Sequence, residues 1–467
     1  MARYNYRRRE SSEVRIGSLK MGGANPIRLQ SMTNTATADA AGSAEQVVRI
    51  AEAGADLVRL TTQGVREAEA MAEIKRIAAE RDCHVPLVAD VHFNPAAAFK
   101  AAETCDKVRI NPGNFADPVH RFETIEFTDE EYAAELKKLR DRVVPFLAKC
   151  RENGTAVRLG VNHGSLSDRI VSRYGDTPLG MVESMMEYLR IFRDEGFTDV
   201  VLSIKASNVI VMVQTVRLLV KTMEREGMAY PIHLGVTEAG NEDEGRIKSA
   251  AGIGALLAEG IGDTIRVSLS EAPEREIPVA RLLRDYVISD EHHRRLDEAL
   301  AGVPEGERVE KIRLAYLDAD RESVMVKAAA DFGYLLLGGF ADDICLEAPA
   351  LDETDRKNIE DAIMQALRRR FTRPDYIACP SCGRTLFNLE RTLARIKKAT
   401  AHLAGVKIGV MGCIVNGPGE MADADYGYVG AGPGRVSLYK GQQLVRKNIP
   451  EEEAVEALLE LINSDSK

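Results

Sequence analysis

Three cysteines near the end of the sequence have a spacing that could hold a soft metal centre. Cys379 and Cys382 form a Cys-x-x-Cys motif, Cys413 follows in the segment 412–420, and no further cysteine comes after it. Three thiolates suit an iron–sulfur cluster, whose fourth corner must then be held by another group. Glu420 closes the segment and is the nearest candidate, with water or substrate as alternatives. The sequence therefore indicates a redox centre with one weakly held corner.

A Cys-x-x-Cys motif alone is also compatible with half of a zinc site or with a thiol redox pair. No second motif of this kind follows, and His402, the one histidine in this region, lacks zinc-finger spacing. The turn at 416–419 could bring Glu420 back beside Cys413, although a plain surface turn has the same composition. The iron–sulfur interpretation is therefore favoured, and the four other cysteines are typical of buried apolar positions.

The elements that must position a substrate precede this segment. Eight apolar stretches, each followed by a stretch with helical periodicity, predict strands at 26–32, 56–62, 86–92, 107–111, 156–162, 199–205, 231–238 and 263–268. Continuous Val, Ile and Leu runs are typical of parallel strands that are covered on both faces. Eight such units predict a (β/α)₈ TIM barrel, with an open doubly wound sheet as the alternative. Helix capping boxes are predicted at 43–46 and 128–131.

The carboxyl-terminal ends of these strands are rich in cations and amides. In a TIM barrel these ends form the active face. A ring of cations repels itself unless an anion is bound, and Arg forks with Asn and Ser donors suit a diphosphate. We therefore predict substrate contacts from Arg59, Asp90, His92, Arg109, Asn111, Arg158, Asn162, Lys205, Thr237, Arg266 and Ser268. Neither a Walker A motif nor a dinucleotide-binding glycine motif follows a strand, so a nucleotide substrate is not favoured.

Glu238 is the carboxylate predicted at the end of the seventh strand. Among cations it is expected to stay charged, and it could act as a proton donor or base. The alternative is an ion pair with Lys205 or Arg266. Asp90 and His92 could bind a metal ion, but two ligands without a third nearby in the sequence favour substrate contacts instead.

The composition is that of a globular protein with room for a large domain and smaller ones, since 45% of its 467 residues are hydrophobic and 29% are charged. The net charge of −10 and the absence of Trp argue against a nucleic-acid binder. The longest apolar runs are shorter than a membrane span, and the N-terminus lacks the apolar core of a signal peptide. A cytoplasmic protein without membrane association is therefore expected.

The segment after the barrel contains a sequence repeat of the last helix–strand unit of the barrel. Residues 327–344 resemble residues 248–265 without a gap, which indicates a duplicated helix–strand unit. The copy continues with Cys345 and Glu347, where the barrel has an arginine and a serine. Because the cation is lost, we expect the copy to be structural.

The sequence thus divides into three predicted parts. They are a barrel domain at 1–285, an inserted segment at 286–372 that resembles a reduced second barrel, and a small α/β cluster domain at 373–467. Within the inserted segment, residues 290–308 are strongly charged and contain Pro-Glu-Gly, so they are expected to form a surface linker.

Seven motifs together resemble the IspG/GcpE family, the 4-hydroxy-3-methylbut-2-enyl diphosphate synthases of the non-mevalonate isoprenoid pathway. They are spread over nearly the whole chain: QSMTNT at 30–35, RINPGN at 109–114, GVNHGSL at 160–166, TEAG at 237–240, GDTIRVSL at 262–269, CPSC at 379–382 and GCIVNGPGE at 412–420. Short members of this family pass almost directly from barrel to cluster domain, whereas long members carry a whole extra barrel there. The inserted segment is too short for a full barrel, so the chain resembles a reduced long member.

The resemblance implies a 4Fe–4S cluster held by Cys379, Cys382, Cys413 and Glu420. It implies reductive ring opening and dehydration of 2-C-methyl-D-erythritol 2,4-cyclodiphosphate, with electrons from reduced flavodoxin or ferredoxin and with Glu238 as the acid residue. In short members the cluster domain caps the barrel of a homodimer partner, and in long members it can cap its own. Both arrangements are open for this chain.

Cations near the cluster segment could dock an acidic electron carrier, although a solvated helix face is the favoured interpretation; they are Arg384, Arg391, Arg395, Lys397 and Lys398. A competing class is a non-redox phosphosugar lyase or aldolase with a structural zinc site, in which Lys205 would form a Schiff base. A third class is a binding protein whose cysteine site is structural. A brown colour, iron and sulfide in the anaerobically purified protein would distinguish the iron–sulfur enzyme from these two other classes.

Overall fold

A computed structural model describes residues 3–117, 126–237, 239–240, 242–379, 382, 384–414, 419, 421 and 423–465. Glu238 and Glu420 lie outside the described residues, so the roles predicted for them stay predictions. No helix in the described part of the chain is both long enough and apolar enough to cross a membrane.

A parallel eight-stranded barrel follows a short hairpin. The hairpin pairs β1 (Val14–Ile16) with β2 (Leu19–Met21). The barrel strands are β3 (Arg28–Met32), β4 (Leu57–Thr62), β5 (Leu87–Val91), β6 (Lys107–Ile110), β7 (Ala156–Asn162), β8 (Val200–Lys205), β9 (His233–Leu234) and β10 (Thr264–Ile265). Their order is β8-β7-β6-β5-β4-β3-β10-β9, and a parallel bridge between Leu202 and Ile232 joins the two ends. The TIM barrel predicted from the sequence is confirmed.

The last two barrel strands are shorter than predicted, whereas the first six lie within two residues of their predicted bounds. The chain nevertheless continues along the barrel beyond β9 and β10. The Arg266 N–H donates to the Leu234 carbonyl at 3.0 Å, and the Thr237 N–H donates to the Ala206 carbonyl at 3.3 Å. Isolated hydrogen bonds therefore hold the strand ends at the mouth where a regular ladder is missing.

The hairpin closes the floor of the barrel, which the sequence did not predict. Its apolar side chains are fully buried against the first inward residues of four strands; the cluster comprises Val14, Ile16, Met21, Leu57, Val88, Ala156 and Val201. Because apolar groups fill this end, the polar interior opens only toward the carboxyl-terminal ends of the strands.

Helices cover the outside of the barrel. They are α1 (Ala40–Glu52), α2 (Val65–Ala79), α3 (Pro95–Ala101), α4 (Asp129–Asn153), α5 (Asp168–Tyr174), α6 (Pro178–Asp194), α7 (Val209–Arg225), α8 (Glu242–Ala258) and α9 (Glu276–Val287), the last preceded by a 3₁₀ turn at Pro273–Arg275. The capping box predicted at 128–131 is confirmed by reciprocal bonds between Thr128 and Glu131. The box predicted at 43–46 is wrong, because Asp39 caps α1 earlier by accepting a hydrogen bond from the Gly42 N–H.

The inserted segment is largely regular. It contains α10 (Asp290–Ala301), β11 (Val309–Ala315), α11 (Arg321–Leu337), β12 (Ala341–Glu347) and α12 (Glu353–Ala366), and β11 pairs in parallel with β12. The surface linker predicted at 290–308 is wrong for its first part. Ser289 caps α10, and His292, Leu296 and Leu300 are buried along one face of this charged helix.

The duplicated helix packs on its original through equivalent residues. A Cβ on Gly254 of α8 would lie 2.7 Å from Ala330 Cβ, and a Cβ on Gly333 of α11 would lie 2.8 Å from Ala251 Cα. In the two matching segments, Gly254 corresponds to Gly333 and Ala251 to Ala330. The contact therefore has the self-complementary form of a twofold interface, here within one chain.

The C-terminal domain is built on a five-stranded sheet, and its described residues include two long helices. It contains β13 (Asp375–Ala378), α13 (Leu389–Thr400), β14 (Lys407–Met411), β15 (Tyr426–Gly432), β16 (Arg435–Lys440), β17 (Gln443–Pro450) and α14 (Glu451–Asp465). Strands β13, β14 and β15 are parallel, and the other pairs are antiparallel. The sequence predicts helices at 387–401 and 451–463 and a hairpin of 426–430 with 435–439, and all three are confirmed. Strand β17 was not predicted, because its mostly charged and exposed residues lack an apolar alternation.

Candidate active site

Cations and a carboxylate meet inside the mouth of the barrel. Side chains point alternately to the two faces of a strand, so residues two apart along the same strand share a face. Strand pairing sets Asp90 beside Arg109 and Arg109 beside Arg158. All eleven residues predicted to contact substrate are buried, although they are polar. Buried polar side chains in this number need partners, which makes their hydrogen bonds informative.

Asp90 is the centre of the described ion pairs. Its carboxylate lies 3.2 Å from Arg109 Nη1 and 3.9 Å from Arg59 Nε. Burial acts to raise the pKa of Asp90, but the charges of Arg59 and Arg109 outweigh burial and hold it well below its usual range. Asp90 therefore stays ionised and fixes two of the arginines at the mouth.

His92 lies between Asp90 and Arg109 and is neutral. Its Nε2 is 3.7 Å from Asp90 Oδ1, and Arg109 Nη1 hydrogen-bonds to the ring. Burial and the charge of Arg109 lower the pKa of His92 to about 3. A neutral imidazole beside the Arg109 guanidinium adds no further charge, and it can contribute one donor or one acceptor.

Arg109 is held by a neighbouring strand as well as by Asp90. Its Nη2 donates to the Gly160 carbonyl at 2.9 Å and to Asn162 Oδ1 at 3.2 Å. A Cβ on residue 160 would lie 2.6 Å from Arg109 Nε, so only glycine leaves room for the guanidinium at this position. Gly160 and Asn162 thus set the orientation of a cation that faces the mouth.

Arg266 has a carboxylate partner that the sequence did not reveal. Its Nε and Nη2 lie 3.0 and 2.8 Å from the two oxygens of Glu276, the first residue of α9. Ser31 Oγ donates to the same carboxylate at 2.7 Å. The alternative of a Glu238–Arg266 ion pair is therefore weakened, because a bidentate pair already occupies this guanidinium.

Arg158 and Lys205 are two of the buried cations that form no ion pair with a described carboxylate. Arg158 is 1% exposed, and its Nε and Nη1 have no hydrogen-bond partner among the described residues. Burial and the charge of Arg59 lower the pKa of both side chains well below their usual values. Buried charges without counter-charges are costly, so these two groups mark the place where an anion is expected.

A further polar layer lies beneath these cations. Lys107 precedes Arg109 by two residues on β6, and its Nζ is buried without a hydrogen-bond partner among the described residues. Both ring nitrogens of His233 on β9 are also buried without a hydrogen-bond partner among the described residues. Burial and the charge of Arg158 lower the pKa of this imidazole. The position of Lys107 on the inner face follows from the period of two along β6, so the sequence did contain a signal for it.

Three predicted contacts have less direct positions. Asn111 connects two loops, since it donates to Ser165 Oγ at 3.0 Å and accepts from the Gly113 N–H at 3.0 Å. Thr237 and Ser268 are buried at the mouth. The roles of these residues as substrate contacts stay predictions, and the bonds of Asn111 indicate that it shapes the mouth.

The C-terminal domain lies on the mouth of the barrel of its own chain. A parallel bridge joins Ala239 to Ala378 of β13, and Ser270 Oγ donates to the Cys379 carbonyl at 3.3 Å. The buried Lys248 Nζ on α8 lies 2.8 Å from Asp375 Oδ1. These contacts place the start of β13, and hence the cysteine that follows it, beside the strand ends.

A second contact between the two domains involves the loop after β7. Gly164, in the loop after β7, has a φ of +76°, and a Cβ there would lie 2.1 Å from the Gly419 carbonyl. The glycine is needed for this left-handed conformation and for the close approach of the two backbones. The 412–420 segment that carries Cys413 therefore reaches the barrel as well.

The three predicted cluster cysteines lie at one edge of the C-terminal sheet. Cys379 directly follows β13, and Cys413 follows the neighbouring parallel strand β14. The Gly412 N–H donates to Cys379 Sγ at 3.2 Å, and the Cys382 N–H donates to Thr385 Oγ1 at 3.0 Å. All seven cysteines are described, and none forms a disulfide. A backbone N–H aimed at a half-buried sulfur is the environment that a cluster thiolate needs.

Among the described residues, no group of three His, Cys, Asp or Glu side chains is placed to hold one metal ion. The assignment of Cys379, Cys382 and Cys413 as cluster ligands remains a prediction.

Two of the cations considered for carrier docking have other positions. The side chain of Arg384 is buried, and its Nη2 lies 3.9 Å from Asp90 Oδ2. Lys397 Nζ lies 2.8 Å from Glu244 on α8. Docking by these two is therefore wrong, because both face the barrel. Arg391, Arg395 and Lys398 are exposed, as a solvated helix face requires.

Comparisons with known proteins agree with this arrangement. A family model described as the GcpE TIM-barrel domain matches residues 11–281, and a model described as the GcpE protein C-terminal domain matches residues 375–464. The two matches cover the barrel and the five-stranded domain. The segment between them contains α10, α11 and α12 with strands β11 and β12.

Three similar relatives each carry the name 4-hydroxy-3-methylbut-2-en-1-yl diphosphate synthase (flavodoxin). The protein from Parabacteroides distasonis is 46% identical over 606 aligned positions, which span 100% of this chain and 99% of the relative. The protein from Bacteroides fragilis strain ATCC 25285 is 47% identical over 604 positions, covering 99% and 96%, and that from Bacteroides thetaiotaomicron is 47% identical over 606 positions, covering 99% and 99%. These alignments are longer than the 467 residues of the chain, so the relatives contain residues that this chain lacks.

Proposed function

The chain belongs to the GcpE family, and from this premise we propose which of its residues carry out the family's reaction. That reaction is the reductive ring opening and dehydration of 2-C-methyl-D-erythritol 2,4-cyclodiphosphate to 4-hydroxy-3-methylbut-2-enyl diphosphate. The chain is thus an oxidoreductase of isoprenoid biosynthesis, and we expect it to work in the cytoplasm. The relatives' names include flavodoxin, which supports reduced flavodoxin as the electron donor, with ferredoxin as the alternative.

We propose that the diphosphate binds between Arg158 and Lys205. Neither cation forms an ion pair with a described carboxylate, so a bound diphosphate would offset their mutual repulsion and accept hydrogen bonds from the unpartnered Nε and Nη1 of Arg158. Arg59 and Arg109 would approach the same anion from the side on which Asp90 orients them. Arg266, paired with Glu276, would contribute less net charge and more orientation.

Cys379, Cys382, Cys413 and Glu420 are proposed to hold a 4Fe–4S cluster. When bound, the cluster supplies electrons and a Lewis-acidic iron whose carboxylate ligand is more easily displaced than the thiolates. The residues of the chain perform the other tasks. Gly412 N–H stabilises the charge on the Cys379 sulfur, and the C-terminal domain excludes water from the mouth. The unsatisfied polar atoms at the mouth support this view, because an open barrel would leave them to bulk water.

Glu238 is proposed as the residue that supplies a proton to the substrate. It follows Thr237, which is held at the mouth by its bond to the Ala206 carbonyl, and it precedes Ala239, which bridges to β13. Both chain neighbours of Glu238 therefore lie where the barrel meets the C-terminal domain. Cations at this mouth would keep the carboxylate charged until the substrate diphosphate offsets them.

We also propose that the C-terminal domain serves the barrel of its own chain. The contact between Arg384 and Asp90 carries this proposal, because it joins the cysteine-bearing loop to the substrate pocket within one polypeptide. The domain division at 285 and 372 is kept as part of the proposal. The inserted segment would then be a structural spacer, and the extra residues of the relatives would lie there, where neither family model matches.

An anaerobic assay tests the proposed function. The purified protein should be brown, contain iron and sulfide, and convert the cyclic diphosphate with reduced flavodoxin. Glu238→Gln should keep the iron content and the affinity for substrate but lose turnover, whereas Asp285→Asn, an exposed matched control, should turn over like the parent. A colourless protein without iron, or full turnover by Glu238→Gln, would contradict the proposed site.

A further inference from the structure

Arg384 is shared between the two halves of the candidate active site. It belongs to the C-terminal domain, yet its side chain is 8% exposed and faces the barrel. Its Nη2 lies 3.9 Å from Asp90 Oδ2, and along the chain Arg384 is two residues from Cys382. A single guanidinium thus connects the loop that carries a proposed cluster ligand to the carboxylate that orients the substrate pocket.

A tight turn fixes the direction of this side chain. The Thr385 N–H donates to the Cys382 carbonyl at 2.9 Å, while Thr385 Oγ1 accepts from the Cys382 N–H at 3.0 Å. The next residue, Leu386, donates its N–H to the Gly412 carbonyl at 3.0 Å. Both cysteine-bearing loops therefore support the turn, so the position of Arg384 depends on how these loops are arranged.

The electrostatics of Arg384 favour the reduced form of a centre held by these cysteines. A reduced cluster has one more negative charge than the oxidised cluster, and a nearby cation stabilises that charge. The stabilisation is larger in a buried, low-dielectric site than in water, so it grows when the domain covers the mouth. Asp90 offsets little of it, because Arg59 and Arg109 already neutralise its carboxylate.

We propose that Arg384 is a positioning residue that couples closure of the C-terminal domain over the barrel to reduction of the centre held by the cysteines. This inference rests on the proposed function, since it requires a redox centre. An electron passes from the reduced carrier to the centre without making or breaking a bond. By thermodynamic reciprocity, if closure makes reduction easier, reduction makes closure more favourable by the same factor. The substrate would then be enclosed when the electrons are available.

The test compares Arg384→Met and Arg384→Lys with the parent and with Arg391→Met. Arg391 is a matched control, because it is an exposed arginine on the neighbouring helix α13. Two properties of the iron-loaded proteins are measured: the reduction potential, by spectroscopically monitored titration, and the hydrogen–deuterium exchange of barrel-mouth peptides in the oxidised and reduced states. Neither property is an activity, so both can be read without substrate.

Arg384→Met is expected to shift the reduction equilibrium about tenfold toward the oxidised form, which corresponds to about 59 mV for one electron. In the parent, reduction should slow exchange at the barrel mouth, and in Arg384→Met this difference should disappear. Arg384→Lys should keep most of the potential, because the charge remains. It should lose most of the exchange difference, because lysine lacks the planar fork through which Arg384 reaches Asp90.

An unchanged potential in Arg384→Met would overturn the inference, and so would a parent-like exchange difference in Arg384→Lys. The lysine variant keeps the inference testable if the methionine variant fails to bind iron. The two proposals fail in different ways. A parent protein without iron would refute the proposed function, whereas an active, iron-loaded parent whose Arg384 variants behave normally would refute only the coupling.

Discussion

Replacement of Arg158 by methionine should stabilise the empty enzyme and weaken substrate binding at the same time. Arg158 is 1% exposed, and two of its nitrogens lack a partner among the described residues. The like charges of Arg59 and Arg109 act on it. Methionine fills the space of the aliphatic stem and removes the charge. A residue kept for structure would not produce opposite changes in these two properties.

The magnitudes follow from the burial and the charges. Two like charges about 8 Å apart repel by about 2 kcal/mol at an effective dielectric constant of about 20. Replacement of buried charged groups by apolar residues often stabilises a protein by about 1–4 kcal/mol, and we expect an increase in the free energy of unfolding within that range. Loss of one partner of a buried charge pair costs about 2–5 kcal/mol, so the dissociation constant of the cyclic diphosphate should rise about 30-fold to several thousand-fold.

The assay combines urea unfolding under anaerobic conditions with calorimetric titration of the cyclic diphosphate into oxidised enzyme, which cannot turn over without a donor. Arg66→Met is the matched control, because Arg66 is exposed on α2. It should leave the free energy of unfolding and the dissociation constant unchanged. A destabilised Arg158→Met protein, or one that binds substrate within threefold of the parent, would refute the assignment of Arg158 as an anion-binding cation.

Three further predictions concern the mouth, the domain contact and the inserted segment. The pKa of His92 is lowered to about 3, so between about pH 3 and 6.5 this imidazole is protonated in the unfolded chain and neutral in the folded protein. The free energy of unfolding should therefore rise with pH across that window. His92→Gln should flatten this rise in urea unfolding, and an unchanged slope would contradict the prediction. Lys248→Met leaves the Asp375 carboxylate buried and unpaired, so it should cost about 3–5 kcal/mol, and a cost no larger than that of the exposed control Lys398→Met would count against the contact. Gly254→Ala places a Cβ 2.7 Å from Ala330 Cβ and should lower the melting temperature through about 1–3 kcal/mol of overpacking. Gly302→Ala should not, because the nearest atom to its Cβ is the Ala299 carbonyl oxygen at 3.6 Å.

The barrel could be predicted because its signals are local. Each strand is a continuous apolar run, and the period of two places its last polar residues on the inner face. The floor hairpin and β17 escaped prediction, since short or exposed strands depend on their neighbours rather than on their own pattern. Helix α10 escaped because its charge concealed an apolar stripe of His292, Leu296 and Leu300.

A site residue could be predicted from the sequence only where its position at the end of one strand was enough to place it in the site. The cations at the mouth belong to this kind, and so do the cysteines at the ends of β13 and β14. Glu276 and Arg384 do not, because their importance depends on contacts across long sequence separations, with Arg266 and Asp90 respectively. The packing of α11 on α8 is a similar case. The repeat was visible in the sequence. Only the structure shows that Gly254 and Gly333, which occupy equivalent positions in the two copies, make equivalent contacts with the other helix.

Subunit complementation tests most directly whether each barrel is served by the C-terminal domain of its own chain. Arg158→Met disables the barrel, and Cys413→Ser disables the cysteine site. The two variants are co-expressed with different tags and purified through both tags. If no mixed species forms, they are assayed as a mixture. Within one chain neither variant has both halves of a site, so we predict that activity stays at the sum of the two separate variants. Recovery of about half of the parent activity in the doubly tagged dimer, in which one of the two exchanged sites would be intact, would contradict the account.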